Sequence, residues 1–193
     1  MQALEYPLIL ASASPRRAQL LRQAGFRFEV SPQDIEETYP DHMPPEEVAP
    51  YLAQRKAQAA KELLTDDRKI ILAADSVVIL RGRIYEKPRD SADAHRMLSD
   101  LSGSEHTVIT GVCLRAKHHE RVFSGVTQVQ FAPLTESEIH YYVAQCQPFD
   151  KAGSYAIQEW IGLCKITRIQ GTYANVMGLP VDMVYRELSH WPG

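Results

Sequence analysis

Leu8-Ile-Leu-Ala-Ser-Ala-Ser-Pro-Arg-Arg17 is a short apolar run that stops at two serines and turns into a helical pattern. Leu8 to Leu10 have the character of a buried strand, whereas Arg16, Arg17, Ala18, Gln19, Leu20 and Leu21 follow helical spacing up to Gly25. Ser14 is placed to act as N-cap, Pro15 suits the first helical position, and Gly25 closes the helix. A strand feeding a helix in this way aims backbone N–H groups at the connecting loop and sets two guanidiniums beside them. Such an arrangement favours an anion, most naturally a phosphate chain. The same spacing also describes a capped helix bearing two solvated arginines, so the rest of the chain has to decide.

Outward from this unit, strands and helices interleave. The pattern predicts a strand over 26–30, a polar connection over 31–45 and a helix from near Pro50 to Leu64. A buried strand over 69–80, a turn at Arg81-Gly-Arg83 and a short return strand over 84–86 follow. Ser91 is read as the cap of a helix to Leu101, and two long strands over 106–117 and 121–131 form a hairpin. Thr135-Glu-Ser-Glu138 is a capping box for a helix to about Gln145. An irregular loop over 149–158, a strand over 163–169 and a helix over 180–190 complete the chain. This order is that of an α/β fold with a mixed sheet.

A chain of 193 residues is one domain or two tightly joined lobes, with enough length for a real core. Its formal charge of −3 supplies no basic field for nucleic acid or an anionic membrane. A polyphosphate site would therefore be a local cluster of Lys and Arg. Cys113, Cys146 and Cys164 form neither a CxxC pair nor a zinc pattern, which fits a reducing compartment. No basic leader is present and no run approaches the ~18 apolar residues of a membrane span, so the expected location is cytoplasmic. No GxxxxGK[ST] or GxSxG sequence is present, which excludes a P-loop nucleotidase and an elbow-type serine hydrolase.

Asp75 is the sharpest anomaly. It lies in Ile70-Ile-Leu-Ala-Ala-Asp-Ser-Val-Val-Ile-Leu80 and shares a face with Ile71, Ala73, Val77 and Ile79. An ionised carboxylate there costs several kcal/mol unless it is paired or metal-bound. It is either a strand-end aspartate accepting backbone hydrogen bonds or a general base or metal ligand, and Ala73 and Ala74 leave room for the latter. Lys56 falls on the inward stripe of its helix with Leu52, Ala59, Ala60 and Leu63; it either snorkels or aims into a cleft to neutralise phosphate. Glu36 and Glu37 are adjacent loop acids, ordinarily solvated, whose interest is that such a carboxylate beside Asp75 could hold Mg²⁺ and orient a water. Lys87, in Glu86-Lys-Pro88, is either solvated or turned back toward the same cleft. His118 and His119 at the hairpin tip carry little signal.

Ser12-Ala-Ser-Pro-Arg-Arg17, Ala74-Asp-Ser-Val-Val78, Glu86-Lys-Pro88, Leu101-Ser-Gly103, Asp150-Lys-Ala-Gly-Ser-Tyr155 and Asn175-Val-Met-Gly-Leu-Pro180 stand in the order seen in the Maf family. Each motif is weak alone, but together and in order they are specific, and the resemblance runs from about Pro7 to Glu187. It implies an inosine-triphosphatase-like fold, with a bent mixed sheet flanked by helices and two lobes around a cleft, in a single domain over 1–193. The implied reaction is hydrolysis of a nucleoside triphosphate to the monophosphate and pyrophosphate with Mg²⁺ or Mn²⁺, often in a homodimer, with no nucleic acid or membrane partner. The family's proton acceptor falls on Asp75, and its loop acid, a metal or water partner, on Glu37. Ser12, Arg16, Arg17, Lys56 and Lys87 match its substrate-binding positions. These assignments meet the needs of attack at the α-phosphorus, which are an activated water, neutralised phosphate charge and a stabilised leaving group.

The loop Asp150-Lys-Ala-Gly-Ser-Tyr-Ala-Ile-Gln158 resembles the branch acting on dTTP and UTP, in which base selection is assigned to positions matching Arg16, Ser76 and Gln158. An amide at Gln158 offers a donor and an acceptor to a uracil or thymine edge. The sequence departs from that branch at Ser76, where threonine is usual, and at Glu159-Trp160, where glycine commonly follows the glutamine. The alternatives are the same chemistry on CTP, 7-methyl-GTP or modified nucleotides, and a nucleotide-binding regulator of division or septum formation.

Overall fold

The computed structural model describes residues 2–192. Along the chain run β1 (Leu8–Leu10), α1 (Pro15–Gln23), β2 (Phe28–Val30), α2 (Pro45–Ala59), β3 (Ile70–Leu80), β4 (Arg83–Tyr85) and α3 (Ser91–Leu101). Then come β5 (Glu105–Arg115), β6 (Glu120–Phe131), α4 (Glu136–Cys146), α5 (Trp160–Lys165), β7 (Ile166–Gln170), α6 (Tyr173–Met177) and α7 (Val181–Ser189). The strands form a seven-stranded sheet in the order β2-β1-β3-β5-β6-β7, with β4 beside β3. β1 is parallel to β2 and β3, whereas β4 on β3 and β7 on β6 are antiparallel. The fold is therefore α/β with a mixed sheet flanked by helices, as the interleaved pattern predicts. Among the described residues, no helix is long and apolar enough to cross a membrane.

The chain divides into two compact units. One comprises the chain up to Asp75, Thr110–Gly125 and the chain from Gly178 on; the other comprises Ser76–Ile109 and Val126–Met177. In the first, Ala53 and Ala57 of α2 and Ala60 just after it meet Ile9 of β1, Ala11 just past that strand, and Ile71 and Ala73 of β3. Small side chains let α2 lie close to the sheet, and Gly111 of β5 makes the closest approach possible. A Cβ on Gly111 would stand 2.2 Å from the Pro50 nitrogen and 2.3 Å from the Ala49 carbonyl carbon. In the second unit Leu98, Leu101, Val129, Phe131 and Tyr142 are buried together beneath α3 and α4.

The structure corrects several sequence expectations. α2 begins at Pro45 and contains Pro50, because Pro45 with Glu46 and Glu47 in the first turn already suits a helix N-terminus. Asp90 caps α3 in place of Ser91, accepting from the Asp93 N–H at 2.8 Å. The predicted strand over 163–169 is split between α5 and β7. Gly162 lets α5 fold back on the preceding loop, since a Cβ there would stand 1.8 Å from the Ile157 carbonyl oxygen. The Thr135 capping box is present as expected, with both reciprocal bonds made.

Candidate active site

β1 hands over to α1 through Ser12, whose hydroxyl organises the loop. Its Oγ accepts from the Ser14 backbone N–H at 3.2 Å and from Arg17 Nη1 at 3.1 Å. Ser14 occupies the N-cap position, but its side chain makes no capping bond. The hydroxyl that orders this turn is therefore that of Ser12, two residues earlier. Arg17 is buried and also donates from Nε to the Gly178 carbonyl at 2.8 Å, joining the first motif of the chain to Gly178 in the last. Burial lowers the Arg17 guanidinium from its ordinary value, with Arg16 adding to the effect and Asp75 and Glu37 opposing it. Arginine stays charged across such shifts. Arg16 is half-buried at the start of the same helix.

Asp75 lies in the middle of β3 and is 8% exposed, so it is not a strand-end residue. Lys56, on the face of α2 that covers β3, does not snorkel; it is buried and donates to Asp75 Oδ1 at 2.6 Å. The same ammonium donates to Glu37 Oε1, also at 2.6 Å. Glu37 is the loop acid that reaches this centre, and its side chain remains 42% exposed. One cation thus gathers a buried and a half-exposed carboxylate from segments that are far apart in sequence. The periodicity of α2 and β3 flags the lysine and the aspartate, while nothing in the residue pattern separates Glu37 from Glu36.

Ser12, Arg16, Arg17, Glu37, Lys56 and Asp75 all belong to the first unit, and Ser76, Lys87 and Gln158 belong to the second. Ser76 is half-buried in β3, and Lys87 is exposed in the segment between β4 and α3. Gln158 ends the loop before α5, and its buried Oε1 has no hydrogen-bond partner among the described residues. The loop itself is closely tied. Gly153 N donates to the Glu86 carbonyl at 3.1 Å, and His106 Nε2 lies 2.7 Å from Tyr155 Oη. Ala156 N donates to Tyr142 Oη at 3.1 Å, and that phenol donates to Glu159 Oε2. Lys151, itself buried, lies 2.7 Å from Asp150 Oδ1 and 3.4 Å from Glu159 Oε1. The sequence reading did not single out Tyr142 or His106. The available signal was a phenol on the apolar stripe of α4 with Ile139 and Val143, because a buried tyrosine needs a partner for its hydroxyl.

A family model described as Maf-like protein matches residues 7–191. The dTTP/UTP pyrophosphatase of Phocaeicola vulgatus is 49% identical over 185 residues, which cover 95% of this chain and 95% of that protein. The dTTP/UTP pyrophosphatase of Porphyromonas gingivalis is 47% identical over 186 residues, covering 95% of this chain and 94% of its own. Among solved structures, the Staphylococcus aureus Ham1 protein aligns with a TM-score of 0.47 at 19% identity, over 65% of this chain and 72% of that one.

Proposed function

The chain belongs to the Maf family, and from that membership we propose that it hydrolyses dTTP and UTP to the nucleoside monophosphate and pyrophosphate. The two named relatives supply the substrate pair, and the observation that carries the chemistry is the convergence of Glu37 and Asp75 on one ammonium, each at 2.6 Å. Two carboxylate oxygens drawn to one cation are hard donors of the kind that suit Mg²⁺ or Mn²⁺. No group of three or more His, Cys, Asp or Glu able to hold a metal occurs among the described residues. A divalent ion held by Glu37 and Asp75 would thus draw further ligands from water and substrate phosphate. Such an ion would supply charge neutralisation for the triphosphate and acidify a bound water.

Within this reading Asp75 accepts the proton of the water that attacks the α-phosphorus. Glu37 would hold the metal ion with Asp75 and helps to orient that water. Lys56, Arg16 and Lys87 neutralise the triphosphate and the departing pyrophosphate, together with the N-terminus of α1. Arg17 adds charge, and its bonds to Ser12 and Gly178 brace the loop. Gln158 presents an acceptor to the N3–H of uracil or thymine, in keeping with its orphaned Oε1. Arg16 and Ser76 share in base selection. The unit of function is one catalytic domain over 1–193, cytoplasmic and homodimeric, the last checked by light scattering.

The test is pyrophosphate release with Mg²⁺ or Mn²⁺ across dTTP, UTP, CTP, GTP, 7-methyl-GTP and ITP, beside Asp75→Asn. Turnover of dTTP and UTP that Asp75→Asn abolishes is the expected result. Turnover confined to another base would keep the chemistry and overturn the pyrimidine assignment. Failure of folded protein to hydrolyse any nucleotide would remove the enzyme reading.

A further inference from the structure

We propose that Tyr142, Glu159 and Lys151 are positioning residues for base selection, holding Gln158 in the one placement from which its amide discriminates uracil and thymine from cytosine. This rests on the reading of Gln158 as the base contact. A glutamine amide alone discriminates poorly, because its donor and acceptor can exchange places to fit either pyrimidine edge. Discrimination requires the amide to meet the base at a set distance and angle, which starts from a fixed backbone, and the structure ties the segment on both sides of Gln158. Two residues before it, the Ala156 N–H is fixed at 3.1 Å by Tyr142 Oη. Immediately after it, Glu159 accepts from the same hydroxyl, lies 3.4 Å from the buried Lys151 ammonium and occupies the N-cap position of α5.

One hydroxyl thus ties the backbone on one side of the glutamine, at Ala156 N–H, and a side chain on the other, at the Glu159 carboxylate. Tyr142 is fully buried on α4, so the anchor is part of the core and does not move with the loop. Burial pushes the Tyr142 hydroxyl well above its ordinary value, and Glu159 pushes the same way, so the phenol keeps the proton it donates. Lys151 serves as counter-ion to both Asp150 and Glu159, linking the start of the loop to the N-cap residue that follows it. Glu159 has a definite task in this arrangement. A carboxylate at that position is the acceptor for a phenol that would otherwise be buried with an unmatched donor.

The experiment measures kcat and KM for dTTP, UTP and CTP in wild type, Gln158→Ala, Tyr142→Phe, Glu159→Leu, Glu159→Gln and the double variant Gln158→Ala/Tyr142→Phe. Tyr142→Phe is expected to raise KM for dTTP and UTP by about 10- to 100-fold, leave kcat near wild type, and lower the dTTP-to-CTP ratio of kcat/KM equally. Glu159→Leu should behave alike and carries the same test should Tyr142→Phe fold poorly, whereas Glu159→Gln, which retains an acceptor, should restore most of the ratio. In the Gln158→Ala background, Tyr142→Phe should add no further loss of selectivity, because the two act through one group. An unchanged ratio in Tyr142→Phe and Glu159→Leu, with Gln158→Ala defective, would overturn the positioning role and leave the base contact standing. Additive losses in the double variant would also overturn it. An unchanged ratio in Gln158→Ala would remove the base contact itself, and the positioning role with it.

Discussion

Lys56 holds two carboxylates within 2.6 Å of its ammonium while its own side chain is only 11% exposed. Its two partners are not equivalent. Asp75 is buried, so removing the ammonium strands a charge away from water, whereas Glu37 is exposed enough for solvent to screen most of its share. Lys56→Met is therefore expected to lower stability by about 3 kcal/mol, most of it from Asp75, as read by denaturant unfolding at pH 7. Asp75→Asn is milder, since the amide oxygen still accepts from Lys56 and the volume is unchanged. It should destabilise less than Lys56→Met, because Glu37 and the amide oxygen still receive the ammonium, while lowering kcat by about 10²- to 10⁴-fold, the range for loss of a general base. Much of this centre is legible from residues alone, because an aspartate in an apolar strand and a lysine on an apolar stripe are each costly unless paired. Glu37 is not legible in that way: a loop acid has no periodicity, and only the Maf resemblance picks it out. The brace on Arg17 was equally hidden, since Gly178 lies far along the chain and its carbonyl leaves no mark in a residue pattern.

The elements that carry these side chains explain why some boundaries were readable and others not. The Thr135 box announces α4 because its two reciprocal bonds are local to four residues. α5 is hidden because Trp160-Ile-Gly-Leu-Cys-Lys165 is a single apolar stretch, too short for a 3.6-residue period to separate it from a strand. What decides it is the return of Gly162 onto Ile157, a tertiary contact. α2 presents the complementary case. Pro50 suggests a start, yet the helix runs through it, and Gly111 of β5 lies against the backbone at that point. Gly111→Ala would drive a methyl group to within 2.2 Å of the Pro50 nitrogen, which rotamer changes cannot relieve because the opposing atoms are backbone. The expected cost is at least about 1–3 kcal/mol. Since α2 also carries Lys56, the variant should lose activity beyond its loss of folded protein. Thermal unfolding and turnover per folded molecule check the two effects separately; wild-type values for both would show that α2 can retreat without disturbing the site.

At the scale of the whole molecule, the alternation of strands and helices was enough to give an α/β fold and a mixed sheet, because both follow from local periodicity and connection order. The strand order β2-β1-β3-β5-β6-β7 was not legible, since it depends on which buried faces meet. The response of the folded chain to acid is another collective property that the sequence conceals. Seven histidines are present, and one whose charge the fold opposes couples its titration to stability; burial lowers both His95, where His140 adds to the effect, and His106. His106 meets that condition: it is 2% exposed, packed edge-on to Phe131 and Tyr155, and burial lowers it from 6.5 to about 4. Between these two values the unfolded chain binds a proton at this histidine and the folded chain does not. Stability is thus unaffected by His106 above pH 6.5 and falls as the pH drops from there toward 4, by about 2 kcal/mol at pH 5 and about 3 kcal/mol at pH 4. Carboxylates in ion pairs add their own acid sensitivity, so the comparison that isolates His106 is with His106→Gln, which retains an acceptor for Tyr155 and cannot titrate. Denaturant unfolding of both proteins at intervals from pH 7.5 to 4 should give curves that diverge below pH 6.5, with wild type falling more steeply. Parallel curves would mean that the fold admits the imidazolium, by opening the loop that Tyr155 anchors, and the pH dependence would then belong to the carboxylates alone.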